Sequence, residues 1–237
     1  MLPAYGDLVD LFLREAGRRD MDLFVGTYDA GTFWDEGDYR TEVAVNRDFC
    51  AEVTERYGDH DAFAGWYISH EINAYDDEML AVYEELADHL RGLKDVPLLM
   101  SPYVKGPKQF GGEALPFDEH VASWAEVFAR LEGCVDIVAF QDGNVLLPEL
   151  PRYLEAHQEL AARHGVTTWS NVESFDRDVR IKFPPIDCRK LRYKIEQAAA
   201  AGVDKLITFE FSHFMSPNAD PPAARRLYRR YREWLDG

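Results

Sequence analysis

Six strand-like segments, each followed by an amphipathic helical stretch, predict an α/β chain of the (β/α)8 or TIM-barrel type with six βα units visible. Three observations carry that expectation. The alternation runs the length of the 237 residues without a break. Several strand segments are almost wholly apolar until their last residues, as parallel strands covered on both faces are. Each segment also places its polar and aromatic residues at its C-terminal end: Tyr28-Asp29, His70-Glu71, Ser101-Pro102-Tyr103, Gln141-Asp142, Asn171 with Glu173, and Glu210 with Ser212 and His213. A barrel gathers its chemistry at the one rim formed by those ends. The competing doubly wound sheet concentrates its site at a switch point served by fewer strands, and its GxGxxG turn is absent.

The elements follow in order. A helix over 7–18 places Leu8, Leu11, Phe12 and Ala16 at helical spacing, with Asp7 as its N-cap. DLFVGTYD (22–29) reads as a strand, and 40–58 as a helix ended by Gly58. FAGWYISHE (63–71) leads into a helix over 76–93, and VPLLMSPYV (96–104) into one over 118–131. VDIVAFQDG (135–143) precedes a helix over 150–164, and TTWSNVESF (167–175) one over 189–201. KLITFEFSHF (205–214) is the last strand, MSPNADPP a turn-rich exit, and 223–235 the last helix. Strands alternating with helices of this length imply parallel pairing through right-handed crossovers. No linker or low-complexity stretch intervenes, so residues 1–237 are expected to form one domain.

Composition narrows the function. A formal charge of −17 argues against nucleic-acid or anionic-membrane partners, which need clustered Lys and Arg. The basic run RRLYRRYR (225–232) reads as the solvated face of the last helix. Cys50, Cys134 and Cys188 are odd in number and far apart, with neither disulfide nor zinc-ligand spacing. No apolar run approaches the roughly 18 residues of a membrane span. The start MLPAYGDLVD has no basic and apolar leader, so the chain as written reads as cytoplasmic, or as secreted or periplasmic if its true start lies upstream.

The segments LFVGTYD, FAGWYISHEI, LMSPY, VAFQDG, TWSNVESF and ITFEFSHFMSP together resemble the bacterial TIM-barrel family called domain of unknown function 4434. The resemblance covers nearly the whole chain from residue 5 and implies a glycoside-hydrolase-like barrel whose activity is poorly defined. It also implies two further strands ahead of the first helix, which leaves this barrel N-terminally incomplete. An upstream segment or an oligomeric partner is therefore expected to cover the open edges. On that numbering Glu71 ends the fourth strand and Glu173 the seventh, where clan A glycoside hydrolases carry their acid/base and nucleophile. The three-strand separation of the two glutamates is in the sequence itself.

Retaining glycosidases need two carboxyl groups roughly 5–5.5 Å apart. Strand parity puts Gly65, Tyr67, Ser69 and Glu71 on one face, and Trp169, Asn171 and Glu173 likewise, leaving Ile68 and Val172 for the helices. We therefore expect a glycoside hydrolase acting on a glycan or glycoside, with Glu71 as acid/base and Glu173 as nucleophile. His70 stands where clan A enzymes carry asparagine. It could donate to a sugar hydroxyl, ligate a metal or perturb Glu71. Tyr28, Trp34, Tyr67, Tyr103 and Trp169 offer flat faces for sugar stacking, whereas Trp66 and Phe175 read as core. Gln141, Asp142, Asn171 and Glu210 would orient hydroxyls, with His213 beside them. Asp142-Gly143 reads equally as a turn, and His213 as a local, satisfied histidine.

No cofactor is expected in this reading. The alternative enzyme is a metal-dependent sugar isomerase or epimerase, with His70, Glu71, Asp142, Glu173, Glu210 and His213 around a divalent ion. A non-catalytic carbohydrate-binding barrel is the third reading. Ser or Cys nucleophilic catalysis is disfavoured without GxSxG, and phosphosugars without glycine loops after the last two strands.

Overall fold

The computed structural model describes residues 6–29, 31–177 and 183–237. Six strands form one sheet whose order is the chain order, β1 to β6. This is the topology that consecutive βα units generate, and the fold is the expected TIM-barrel type with six such units. The residues cluster into two compact units that interleave along the sequence.

The first unit comprises Met1–His70, Asp76–Met100 and Leu131–Ile137. It holds α1 (Leu8–Gly17), β1 (Leu23–Gly26), α2 (Thr32–Asp35), α3 (Tyr39–Tyr57), β2 (Phe63–Ile68), α4 (Asp77–Leu93) and β3 (Leu98–Met100). Asp7 caps α1 as the sequence predicts, accepting from the Asp10 N–H at 3.1 Å. The helix face differs from expectation. Leu13 and Ala16 are buried, while Leu8, Leu11 and Phe12 are exposed, because among the described residues only the Leu13 side meets the core. β1 and β2 pair in parallel, with Phe24 opposite Gly65. A side chain at Gly65 would place its Cβ 2.2 Å from the Phe24 ring, so the glycine is what lets that ring lie flat on the sheet. Phe63, Trp66, Ile68, Leu80, Tyr83, Leu86, Leu90 and Leu98 make the apolar core of this unit.

The second unit comprises Glu71–Tyr75, Ser101–Arg130 and Val138–Gly237. Its elements are α5 (Pro107–Phe110), α6 (Phe117–Arg130), β4 (Ile137–Gln141), α7 (Leu150–Arg163), β5 (Thr167–Glu173), α8 (Cys188–Ala200), β6 (Lys205–Phe209), α9 (Phe211–Phe214) and α10 (Pro222–Asp236). β5 is buried on both faces from Thr168 onward. Val172 packs with Ile186, Leu191, Met215 and Leu227, as its strand parity requires, and this leaves Asn171 and Glu173 for the opposite face. Between α6, α7 and β4 a buried histidine pair fills the core. His120 Nε2 and His157 Nε2 lie 2.8 Å apart, and the His157 ring stacks on Phe140 at 3.5 Å between centroids.

Several expectations about strand length are corrected. β1 stops at Gly26 rather than 29, and β2 at Ile68 rather than 71, so Glu71 lies three residues past its strand and strand parity does not set its face. The third strand is three residues long rather than nine, although Tyr103 still bridges to Gln141; Pro97 and Pro102 on its flanks have no N–H for the ladder. The last strand ends at Phe209, not 214. Glu210 turns its carboxylate onto the His213 N–H at 2.6 Å and the Ser212 hydroxyl at 3.1 Å, which caps the one-turn helix α9. The basic run lies on α10 as predicted: Ala224 and Leu227 are buried and Arg225, Arg226, Arg229, Arg230 and Arg232 are exposed.

Candidate active site

At the end of β5, Glu173 is 1 % exposed and bound through both carboxylate oxygens by Arg177, at 2.7 Å to Oε1 and 2.9 Å to Oε2. A two-point fork of this kind fixes the orientation of the carboxylate as well as its charge. Arg177 is itself held by Gln109 Oε1 at 2.7 Å and lies over the rings of Phe175 and Phe183. Burial works against the Arg177 cation. The hydrogen bonds and charge of Glu173, with the charges of Glu71 and Asp142, outweigh burial and raise its pKa above the usual guanidinium value.

The backbone of Glu173 is fixed from two sides. Its N–H donates to Asp142 Oδ1 at 3.0 Å, and its carbonyl accepts from Lys194 Nζ at 2.8 Å. Lys194 closes the loop with a 2.6 Å ion pair to Asp142 Oδ1. Burial pushes the Asp142 carboxyl up, against the pull of Lys194. Asp142 is therefore a positioning residue for Glu173 rather than a group waiting for a sugar hydroxyl. Gly143 follows it because nothing larger fits: a Cβ there would lie 1.6 Å from Glu173 Oε2.

Glu71 is in the same unit but in different surroundings. It is exposed, and its Oε1 accepts from Gln141 Nε2 at 2.6 Å. Gln141 is steadied by the Ser101 carbonyl at 2.9 Å. Ser101 Oγ accepts from Asn171 Nδ2 at 3.0 Å and donates to the Ala139 carbonyl at 2.8 Å. Asn171 is buried, and its Oδ1 has no hydrogen-bond partner among the described residues. The Tyr103 hydroxyl accepts from Asn73 Nδ2 at 2.5 Å, and its ring stacks on Phe110.

Thus Glu71, Glu173, Tyr103, Gln141, Asp142 and Asn171 belong to one connected set. Other expected site residues have other surroundings. Trp169 is buried with Lys205 over its ring at 4.6 Å. Glu210 is engaged in capping α9, and His213 is exposed on that turn. Phe175 and Trp66 are core, as expected. In the first unit, Tyr67 is half-buried on β2 and Tyr28 is exposed beside Phe49. Trp34 is buried with its ring 4.7 Å from His70. His70 is buried and bonded to Glu42, not open to a sugar.

Sequence reasoning missed Arg177, Lys194, Gln109 and Glu42. The arginine four residues after Glu173 was the one available hint. The ion set of the isomerase alternative finds two of its acids already neutralised, Glu173 by Arg177 and Asp142 by Lys194. Cys50 is buried and its thiol is pushed up to about 12, which suits packing and not nucleophilic attack.

Six parallel strands in chain order, each followed by helix, define a TIM-barrel-type fold, and the comparisons agree. The family model "Domain of unknown function (DUF4434)" matches residues 1–221, and the chain belongs to that family. A Bacteroides thetaiotaomicron VPI-5482 protein with the provisional name alpha-L-fucosidase superposes with TM-score 0.94 at 39% identity, over 99% of this chain and 74% of that one. The endo-1,4-beta-D-mannanase of Thermotoga petrophila RKU-1 shares the fold at TM-score 0.58 and 12% identity, over 96% and 79% of the two chains. A beta-glucuronidase of an uncultured Clostridium does so at 0.58 and 11%, over 94% of this chain and 42% of the other. No curated protein sequence matches the chain. Among the described residues no helix is long and apolar enough to cross a membrane.

Proposed function

We propose that this protein hydrolyses a glycosidic bond with retention, using Glu173 as nucleophile and Glu71 as general acid/base. One observation carries the reading: the two carboxylates have contrasting surroundings, Glu173 buried in the Arg177 fork and Glu71 exposed on the Gln141 amide. Glu173 is buried and held by a fork of charge-assisted hydrogen bonds, which suits a group that must stay ionised to attack. A carboxylate has about four lone-pair sites, so one N–H on each oxygen leaves each another lone pair. Glu71 is exposed beside a neutral amide, which suits a group that must exchange protons with a leaving group and with water.

In the first step Glu173 attacks the anomeric carbon as the glycosidic C–O bond breaks, and Glu71 gives its proton to the departing oxygen. In the second, Glu71 takes a proton from water, whose oxygen displaces Glu173 from the sugar. The Tyr103 face can pack on sugar C–H groups. The provisional name of the 39% identical relative makes an aryl α-L-fucoside the first substrate to try.

The test is a panel of aryl glycosides with Glu71→Ala and Glu173→Ala assayed beside the wild type. Both variants should lose at least about 1,000-fold in kcat/KM, within the scale of covalent and acid/base effects. Azide should then rescue Glu173→Ala with a glycosyl azide of inverted configuration, and Glu71→Ala with a retained one. Wild-type inactivity across the panel, or variants that keep turning over, would overturn the reading.

A further inference from the structure

The first unit contains a second cluster of chemistry-bearing side chains. Asp29 follows β1, Glu42 sits in the first turn of α3, and His70 follows β2. One carboxylate oxygen from each acid and a ring nitrogen of the histidine lie within 4.8 Å of one another. Glu42 and His70 are fully buried, and Oε1 and Nε2 meet at 2.6 Å. Asn46 Nδ2 adds a contact to the same Oε1 at 3.3 Å and spans to the Tyr28 carbonyl at 2.8 Å.

What remains is unsatisfied. Among the described residues Glu42 Oε2 is buried without a hydrogen-bond partner, as is His70 Nδ1, the ring nitrogen not used in the contact with Glu42. Among the described residues no lysine or arginine pairs with Glu42. Leaving a buried polar atom unmade costs about 1–3 kcal/mol, and more for a charged group. The chain nevertheless carries this acid from a helix into the interior, towards a histidine and a second carboxylate.

We propose that Asp29, Glu42 and His70 bind a divalent transition-metal cation of the Zn2+ class. Two carboxylates and one imidazole supply charge and donors of the right softness, and three protein ligands leave a fourth position for water on the Asp29 side. The geometry is within reach. Two ligands each about 2.0–2.2 Å from a tetrahedral ion stand roughly 3.3 Å apart. The Glu42–His70 contact therefore opens by less than an ångström, and Asp29, which is exposed, closes inward. Supporting contacts are already in place: the Gly31 N–H donates to Asp29 Oδ1 at 2.7 Å, Asn46 to Glu42, and the Trp34 ring packs against His70.

Isothermal titration of the full chain, stripped with EDTA and titrated with Zn2+, tests the proposal. We expect one equivalent to bind and to raise Tm, with Asp29→Asn weakening the affinity at least about tenfold. Because Asp29 is exposed, that variant should keep the metal-free Tm of the wild type, whereas His70→Gln and Glu42→Gln alter buried groups. No saturable binding tighter than about 1 mM, or a loss in Asp29→Asn smaller than tenfold, would overturn it. The readout is binding and not turnover, so the result is independent of the hydrolase reading.

Discussion

Arg177 binds the buried carboxylate of Glu173 through both oxygens, at 2.7 and 2.9 Å. Removing one partner of a buried ion pair strands the other, at a cost of about 3–5 kcal/mol. Arg177→Met should therefore destabilise the fold by about 3 kcal/mol in urea titration, and Glu173→Gln should restore part of that in the double variant. A coupling energy near zero in that four-member cycle would mean that the fork does not form in solution.

Gly143 should tolerate no side chain. The Cβ of Gly143→Ala would lie 1.6 Å from Glu173 Oε2, so the carboxylate must move and the strain should cost about 1–3 kcal/mol. Hydrolytic activity should fall with it. Gly112, where a Cβ meets nothing within 4 Å, supplies the control: Gly112→Ala should stay within about 0.5 kcal/mol of wild type.

The buried His120–His157 pair predicts loss of stability in acid. Burial lowers His120 from 6.5 to about 4, and burial together with His120 lowers His157 well below 6.5. Above pH 6.5 both are neutral folded or unfolded, and the pair carries no penalty. As pH falls from 6.5 towards 4, the unfolded chain takes up protons that the folded one refuses, and stability drops. His120 alone accounts for roughly 3 kcal/mol by pH 4, at about 1.4 kcal/mol per pH unit. The urea midpoint of wild type should fall across this range more steeply than that of a His120→Gln, His157→Gln double variant. Parallel profiles would show that the pair is not held neutral.

β6 lies at one end of the sheet order, and Leu206, Phe209 and Phe211 at and just after it are exposed. An uncovered strand edge with apolar side chains invites pairing with another chain. Sedimentation velocity at micromolar concentration should show self-association, and Phe209→Lys should reduce it. A clean monomer for the wild type would remove the case for an oligomer.

Part of the candidate site was legible because it lies along β5. Period-two alternation put Asn171 and Glu173 on one face and Val172 on the other, and Val172 is indeed packed against Ile186, Leu191 and Leu227. Polarity at strand ends found Tyr103, Gln141 and Asp142 as companions of the two glutamates. Lys194 was not legible. A lysine in CRKLRYKIEQ reads as helix surface, since its desolvation is tolerable only where a carboxylate and a carbonyl meet the ammonium. Glu42 was missed for the same reason: in the first turn of a helix an acid is ordinarily a solvated, dipole-favoured residue.

Local patterning was thus enough to establish the βα alternation, because periodicity acts over a few residues. Which of the polar groups are clamped, which are exposed and which are bound to capping or core duties was settled by contacts between residues far apart in the chain. Asp142 with Lys194, and Glu42 with His70, are pairings that exist only once folding has removed water from around them. Burial and charge compensation are properties of the assembled core, and no window of sequence contains them.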